Sequence, residues 1–227
     1  MKKLTFILSL ALFVLGSQNS FSAQPKWKPL FEKDGVKVFK GKLKGEAVIP
    51  FKALAVISGP LEEVVSVLLD FQKKHLWSPK LKSVKTHFKT NEFQSTFSEY
   101  YQTPWPASDR EFLLEAKMEI KSPHVVKLFA HSSSQQKLAD PDHVLAKVNN
   151  LDLVLTRLTA NKTAIEFTFM GDLKGWIPVW ITNLIQRRWP YKFIKGLDKR
   201  IKSKKENKEN FPLPLLVKNK LQVQELK

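Results

Sequence analysis

Three ionisable side chains stand where apolar ones are expected. In "TFSEYYQTPWPASDREFLLEAKMEI", residues 96–120, Phe112, Leu114, Ala116, Met118 and Ile120 alternate with Glu111, Glu115, Lys117 and Glu119. Arg110 has the parity of the apolar set. If "PWPASD" is a hairpin loop, Thr103 faces Arg110, Phe97 faces Ala116, Glu99 faces Leu114 and Tyr101 faces Phe112. One face then holds Phe93, Phe97, Tyr101, Phe112, Leu114 and Met118 together with Glu99 and Arg110. The later run "LDLVLTRLT" repeats the pattern, because Arg157 shares parity with Leu153 and Leu155.

Burying an unpaired charge costs several kcal/mol, so each of these groups must be paired, wet or near a rim. In that register Glu99 and Arg110 are about 13 Å apart, too far for a direct bond. A cavity containing water and the polar end of an amphiphile satisfies all three. The competing arrangement has Arg110 snorkelling to solvent from the loop edge and Glu99 paired with Arg157 in a sealed core.

The other reactive residue types make no comparable pattern. Histidines at 75, 87, 124, 131 and 143 lack the spacing of a zinc site. "ADPDH", ending at His143, reads as a hydrophilic turn, and "HSSS" at 131–134 as a strand end. There is no glycine-rich phosphate loop and no nucleophile elbow. We expect neither a catalytic group nor a cofactor.

The elements that must position Glu99, Arg110 and Arg157 are strands. Short β-rich runs, "VKVFKG" and "FKALAVIS", lie within residues 27–57. "SGPLEEVVSVLLDFQKKHLW" then changes period, with Leu61, Val64, Val65, Leu68 and Leu69 forming a stripe, which predicts one amphipathic helix ending before Pro79. Strand-like segments follow at 83–90, 93–103, 110–121, 124–131, 143–148, 151–159 and 163–170, spaced as in an antiparallel meander. A long helix begins near Pro178, and Pro190 is expected to kink or interrupt it. Beyond residue 203 the chain is lysine-rich and broken by prolines, and a loosely ordered tail is expected over 204–227. This order describes an α+β domain in which a curved sheet wraps a long helix.

The chain begins "MKKLTFILSLALFVLGSQNSFSAQPKW", with two lysines, an apolar run from Leu4 to Leu15 and small polar residues to Ala23. That is the layout of a signal peptide over 1–23, since a membrane span needs about 20 apolar residues; an uncleaved anchor is the alternative. The expected destination is the periplasm or the medium. The chain has no cysteine, so stability must come from a core, for which residues 24–203 suffice. Formal net charge is +17, which favours an anionic partner. In "QRRWPYKFIKGLDKRIKSKK", Arg187, Arg188, Lys192, Lys195 and Lys199 fit three roles: the wet face of the closing helix, contact with an anionic bilayer, or a nucleic-acid patch. Exported proteins seldom meet nucleic acid, so a membrane surface is the expected partner and a nucleic acid is not.

"HLWSPKLKSVK", "SEYYQTPWPASDREFLL" and "FTFMGDLKGWIPVWITNLIQRRWP" together resemble the START family, the StAR-related lipid transfer domains. Trp77, Pro104, Pro106, Arg110, Glu111, Phe112, Asp172, Gly175, Ile177, Pro178, Trp180 and Asn183 carry the likeness, over roughly residues 35–203. It implies a helix-grip fold: an antiparallel sheet curled around the C-terminal helix, with a tunnel for one lipid or other hydrophobic small molecule and the helix as lid. A monomer is expected. On this basis Phe97, Tyr101, Phe112, Leu114, Met118, Phe167, Phe169, Trp180 and Leu184 are expected as tunnel wall. Arg110, Glu99 and Arg157 are expected at the ligand's polar end. Related helix-grip domains include cyclases and hydrolases, which keeps an enzyme as the alternative. Glu111 stands where the family has aspartate. Ala116 stands where the basic member of an internal charged pair would be sought.

Overall fold

The computed structural model describes residues 25–42 and 48–221; the signal-peptide reading of 1–23 lies outside them. Ten strands make one sheet: β1 (Lys28–Lys33), β2 (Val36–Lys40), β3 (Ile49–Ile57), β4 (Leu81–Asn91), β5 (Gln94–Tyr101), β6 (Arg110–Ser122), β7 (Val125–Ser132), β8 (Val144–Leu145), β9 (Lys147–Thr159) and β10 (Lys162–Asp172). Their order is β1-β2-β3-β10-β9-β7-β6-β5-β4, and β8 pairs in parallel with β6 beside this path. The expected meander is present from β4 to β10. The first three strands join its far edge, where β3 pairs with β10.

Alternation explains why the sheet has an inner face. Along β10, Thr163, Ile165, Phe167, Phe169 and Gly171 are buried and the residues between them are only half-buried. The long helix α2 (Val179–Glu206) lies against that face with Ile181 buried near its start and Pro190, Phe193 or Ile194, Leu197, Ile201 and Lys204 buried at spacings of three or four residues, as one stripe requires. It grips closely at Gly196, where an added Cβ would lie 2.1 Å from the Trp77 carbonyl oxygen. An aromatic core fills the contact, with Phe51 stacked on Phe169 at 5.0 Å and Phe167 at 4.7 Å from Phe193.

Three expectations change. The helix predicted to run to Pro79 is two elements: α1 (Leu61–Leu69) stops at Asp70, whose carboxylate accepts the Lys73 amide at 3.3 Å and starts a 3-10 turn over Phe71–Leu76. That competition of an aspartate with the backbone is what ends the helix. Pro190 does not interrupt α2, which is continuous through it. It leaves the Gln186 carbonyl without its helical donor. The tail is not loose over its described part, because α3 (Leu215–Leu221) docks with Val217 and Leu221 fully buried.

Candidate functional site

Two cavities lie between the sheet and the helices, of about 450 Å³ and about 300 Å³. Each is within the range of small-molecule sites. The larger is walled by Phe97, Leu114, Met118 and Leu153, with α1 and the 3-10 turn at its edge. The smaller runs under the first half of α2 and is walled by Tyr101, Phe112, Phe169, Leu184 and Trp189. Glu99, Leu114 and Leu151 belong to both walls, so the cavities meet there.

The β5–β6 register decides which side chains reach these spaces. Tyr101 pairs with Arg110, Glu99 with Phe112 and Phe97 with Leu114, displaced by two residues from the expected arrangement. The loop therefore begins at Gln102 instead of Pro104. Because a displacement of two residues conserves parity, every residue assigned to the inner face of this hairpin still lies on a cavity wall.

Arg110 is 2 % exposed and borders the smaller cavity, and four of its five N–H donors are used by backbone carbonyls. Nε donates to the Leu173 carbonyl at 3.3 Å, and one terminal nitrogen donates to those of Lys174 and Trp176 at 3.0 and 3.1 Å. The other donates to Ser108. Arg110 thus staples the β5–β6 loop to the segment entering α2, a structural role beside the polar-end one expected of it. Burial lowers its pKa and Asp109 partly restores it. Gly175 makes the approach possible, since its φ of +60° is the left-handed region that favours glycine.

Polar chemistry at the meeting of the cavities comes from Glu99. Its side chain is 4 % exposed; one oxygen takes the Lys74 ammonium and the other accepts the Tyr101 hydroxyl at 2.8 Å. The Ser78 hydroxyl is 3.4 Å from the same tyrosine. Burial, with the Glu99 charge beside it, pushes the Tyr101 phenol well above its ordinary range and keeps it neutral. The basic partner that Ala116 could not supply on β6 is therefore Lys74, from the 3-10 turn. Reading the region as one helix concealed it.

Other assignments divide. Phe97, Leu114 and Met118 wall the larger cavity, and Tyr101, Phe112, Leu114, Phe169 and Leu184 the smaller. Phe167 does not wall either, because Trp189 and Phe193 of α2 cover its ring at 5.6 and 4.7 Å. Trp180 is 54 % exposed on the first turn of α2, where Ile181 takes the inward position. Arg157 points inward at the strand end but pairs with Glu62 of α1 at 2.7 Å, which removes it from the ligand's polar end. Of the basic helix residues, Arg188 and Lys192 border the smaller cavity. Arg187 and Lys199 face solvent and Lys195 is half-buried.

The mouth of the smaller cavity carries exposed aromatic rings. Trp105, in the loop beside Pro104, is 87 % exposed, and Trp176, before α2, is 68 % exposed. Both loops are pinned by carboxylates. Burial works to raise the Asp109 pKa, but Lys82 at 2.6 Å and the Thr103 amide at 2.8 Å outweigh it and hold it below its usual value. Asp172 is depressed in the same way, its burial offset by the ammonium and amide of Lys174. Among the described residues no cluster of histidine and carboxylate is placed to hold a metal ion. No described helix is long and apolar enough to cross a membrane.

This architecture has solved counterparts. Human StAR-related lipid transfer protein 5 superposes with a TM-score of 0.72 at 17 % identity, over 78 % of this chain and 86 % of that one. The STAR-related lipid transfer protein from Xanthomonas axonopodis gives 0.68 at 17 %, over 78 % and 98 %. Human STARD10 gives 0.68 at 16 %, over 85 % of each. At such identities the likeness is one of fold, and it matches the helix-grip arrangement expected from the motifs. Comparison with curated protein sequences finds no significant match. The START domain description itself matches residues 17–207, and the chain belongs to that family.

Proposed function

We propose that this START domain binds one amphiphilic lipid across its two cavities and carries it between membranes. The observation supporting this most directly is the pair of apolar spaces meeting at Glu99, which Lys74 pairs at their shared wall. Hydrocarbon gains about 0.8 kcal/mol per CH₂ on leaving water, so the spaces suit acyl or ring carbon. The Glu99, Lys74 and Tyr101 cluster suits a hydroxyl or other small polar group. Its acceptors and donors satisfy one another when no ligand is present, and a ligand hydroxyl exchanges with them at little cost. No chemical step is part of this reading.

A bound chain is held too strongly to escape quickly into water, so unloading needs contact with a membrane. Trp105, Trp176 and Trp180 are large, exposed and beside the smaller mouth, and tryptophan is at home at headgroup depth. Arg187, Arg188, Lys192 and Lys199 add positive charge along the adjoining helix. We take the protein to act outside the cytoplasm, on the strength of its N-terminal lysines and apolar run.

The test is transfer of a fluorescent phospholipid or sterol between vesicles with and without anionic lipid. Transfer should rise with anionic content and fall at least tenfold in Trp105→Ala/Trp176→Ala, while lipid already bound stays bound. Equal transfer by that variant would remove the mouth from the docking role. Absence of uptake by the wild type would remove the carrier reading.

A further inference from the structure

The family match ends at residue 207, yet the chain beyond it is built into the site. Pro212 and Pro214 are part of the wall of the larger cavity. The segment folds back over that cavity from the end of α2 and is fastened along its length. Glu209 takes a bidentate pair from Arg200 at 3.0 and 2.8 Å. Ser66 of α1 donates to the Pro212 carbonyl at 2.9 Å. Lys204 lies 4.7 Å from the Phe211 ring, and Lys220 lies 5.0 Å from that of Phe93 across the opening. The Leu221 carbonyl accepts from Arg157 at 3.3 Å, which gives that inward arginine its second task.

We propose that the segment Glu209–Leu221 is a removable wall of the larger cavity, and that the apolar chain of a ligand enters and leaves there by displacing it. This rests on the lipid-carrier reading. Two physical points carry it. First, α3 has seven residues, too few to persist as a helix in water, so its order derives from the surface it covers. Its inner side buries Val217 and Leu221, while Leu215 and Leu216 remain 71 % and 46 % exposed. Second, a ligand that enters at the smaller mouth reaches the larger cavity only past the wall shared by both spaces. There the buried Lys74–Glu99 pair stands in the way, and an apolar chain would have to separate it or slide along it. Displacing the segment opens the larger cavity without disturbing that pair.

The chain has no cysteine, so a single engineered pair can fasten the segment reversibly. Ser66→Cys/Pro212→Cys, loaded with a fluorescent long-chain alcohol, is compared oxidised and reduced while the probe leaves for acceptor vesicles. Oxidation should slow exit at least tenfold, with full recovery on reduction. An oxidised sample, its crosslink verified by mass, that releases probe at the reduced rate would overturn the proposal. Glu209→Gln, which loosens the segment and needs no crosslink, gives the independent arm. Exit should accelerate threefold or more, and an unchanged rate would overturn the proposal as well. A reduced, folded protein that never loads the probe would instead overturn the carrier reading, and the gate with it.

Discussion

Replacing Lys74 by methionine tests whether the charge at the waist of the site is a paired charge. Glu99 is 4 % exposed and Lys74 14 %, so solvent screens the pair little. Removing the cation alone strands a buried carboxylate that has only the Tyr101 hydroxyl left. Breaking a buried pair from one side costs about 3–5 kcal/mol, a large share of the 5–15 kcal/mol that holds a domain together. With a urea slope of roughly 2 kcal/mol per molar, the unfolding midpoint should fall by about 1.5–2.5 M. The double variant Lys74→Met/Glu99→Gln removes both charges and should recover most of the loss, ending within about 1–2 kcal/mol of wild type. Urea titrations of wild type, the single variants Lys74→Met and Glu99→Gln, and the double variant, followed by tryptophan fluorescence, give the coupling directly. A single variant whose midpoint moves by less than about 0.5 M would show that water reaches Glu99 freely and that the waist is not a desolvated polar site.

Gly196→Ala should be among the most damaging small substitutions, because the new methyl would meet the Trp77 carbonyl at 2.1 Å and backbone cannot step aside as a side chain can. A loss of about 3 kcal/mol or more is expected by thermal denaturation, and a melting point near wild type would mean that α2 does not grip there. Arg110→Met removes four carbonyl contacts at once and should free the β5–β6 loop and the Lys174–Trp176 segment together. Hydrogen exchange should accelerate in both, and acceleration in one alone would contradict the staple. Asp109 has a depressed folded pKa, so its stabilisation is complete above the unfolded value of about 4 and is lost as pH falls through the folded one. Asp109→Asn should therefore be less stable than wild type at pH 6 and converge with it towards pH 3; a gap that does not narrow would assign the loss to packing.

The hairpin around Arg110 shows how far sequence reasoning reaches. Parity alone placed Glu99, Tyr101, Phe112, Leu114 and Met118 on one inner face, and it survived a misjudged loop length because the true pairing differs by two residues. A displacement of one residue would have inverted the face. What parity cannot register is coverage from above. Phe167 and Phe169 are equivalent by alternation, yet α2 seals the first and leaves the second on a cavity wall. Lys74 was hidden by the local competition at Asp70, which ends a helix that apolar periodicity alone would extend. The role of Arg157 depended on Glu62, distant in sequence and brought near only by tertiary packing. The C-terminal segment was illegible for a different reason. It is rich in lysine and broken by two prolines, and its attachment uses a few side chains, Phe211, Val217 and Leu221, that do not amount to a pattern.

The central claim is that the cavities hold a lipid, and native mass spectrometry of the protein purified from cells tests it most directly. The account predicts one added mass per chain, released by solvent extraction and identified as an amphiphile with a small polar group. A folded protein that carries nothing, and that takes up no labelled lipid from vesicles, would contradict it.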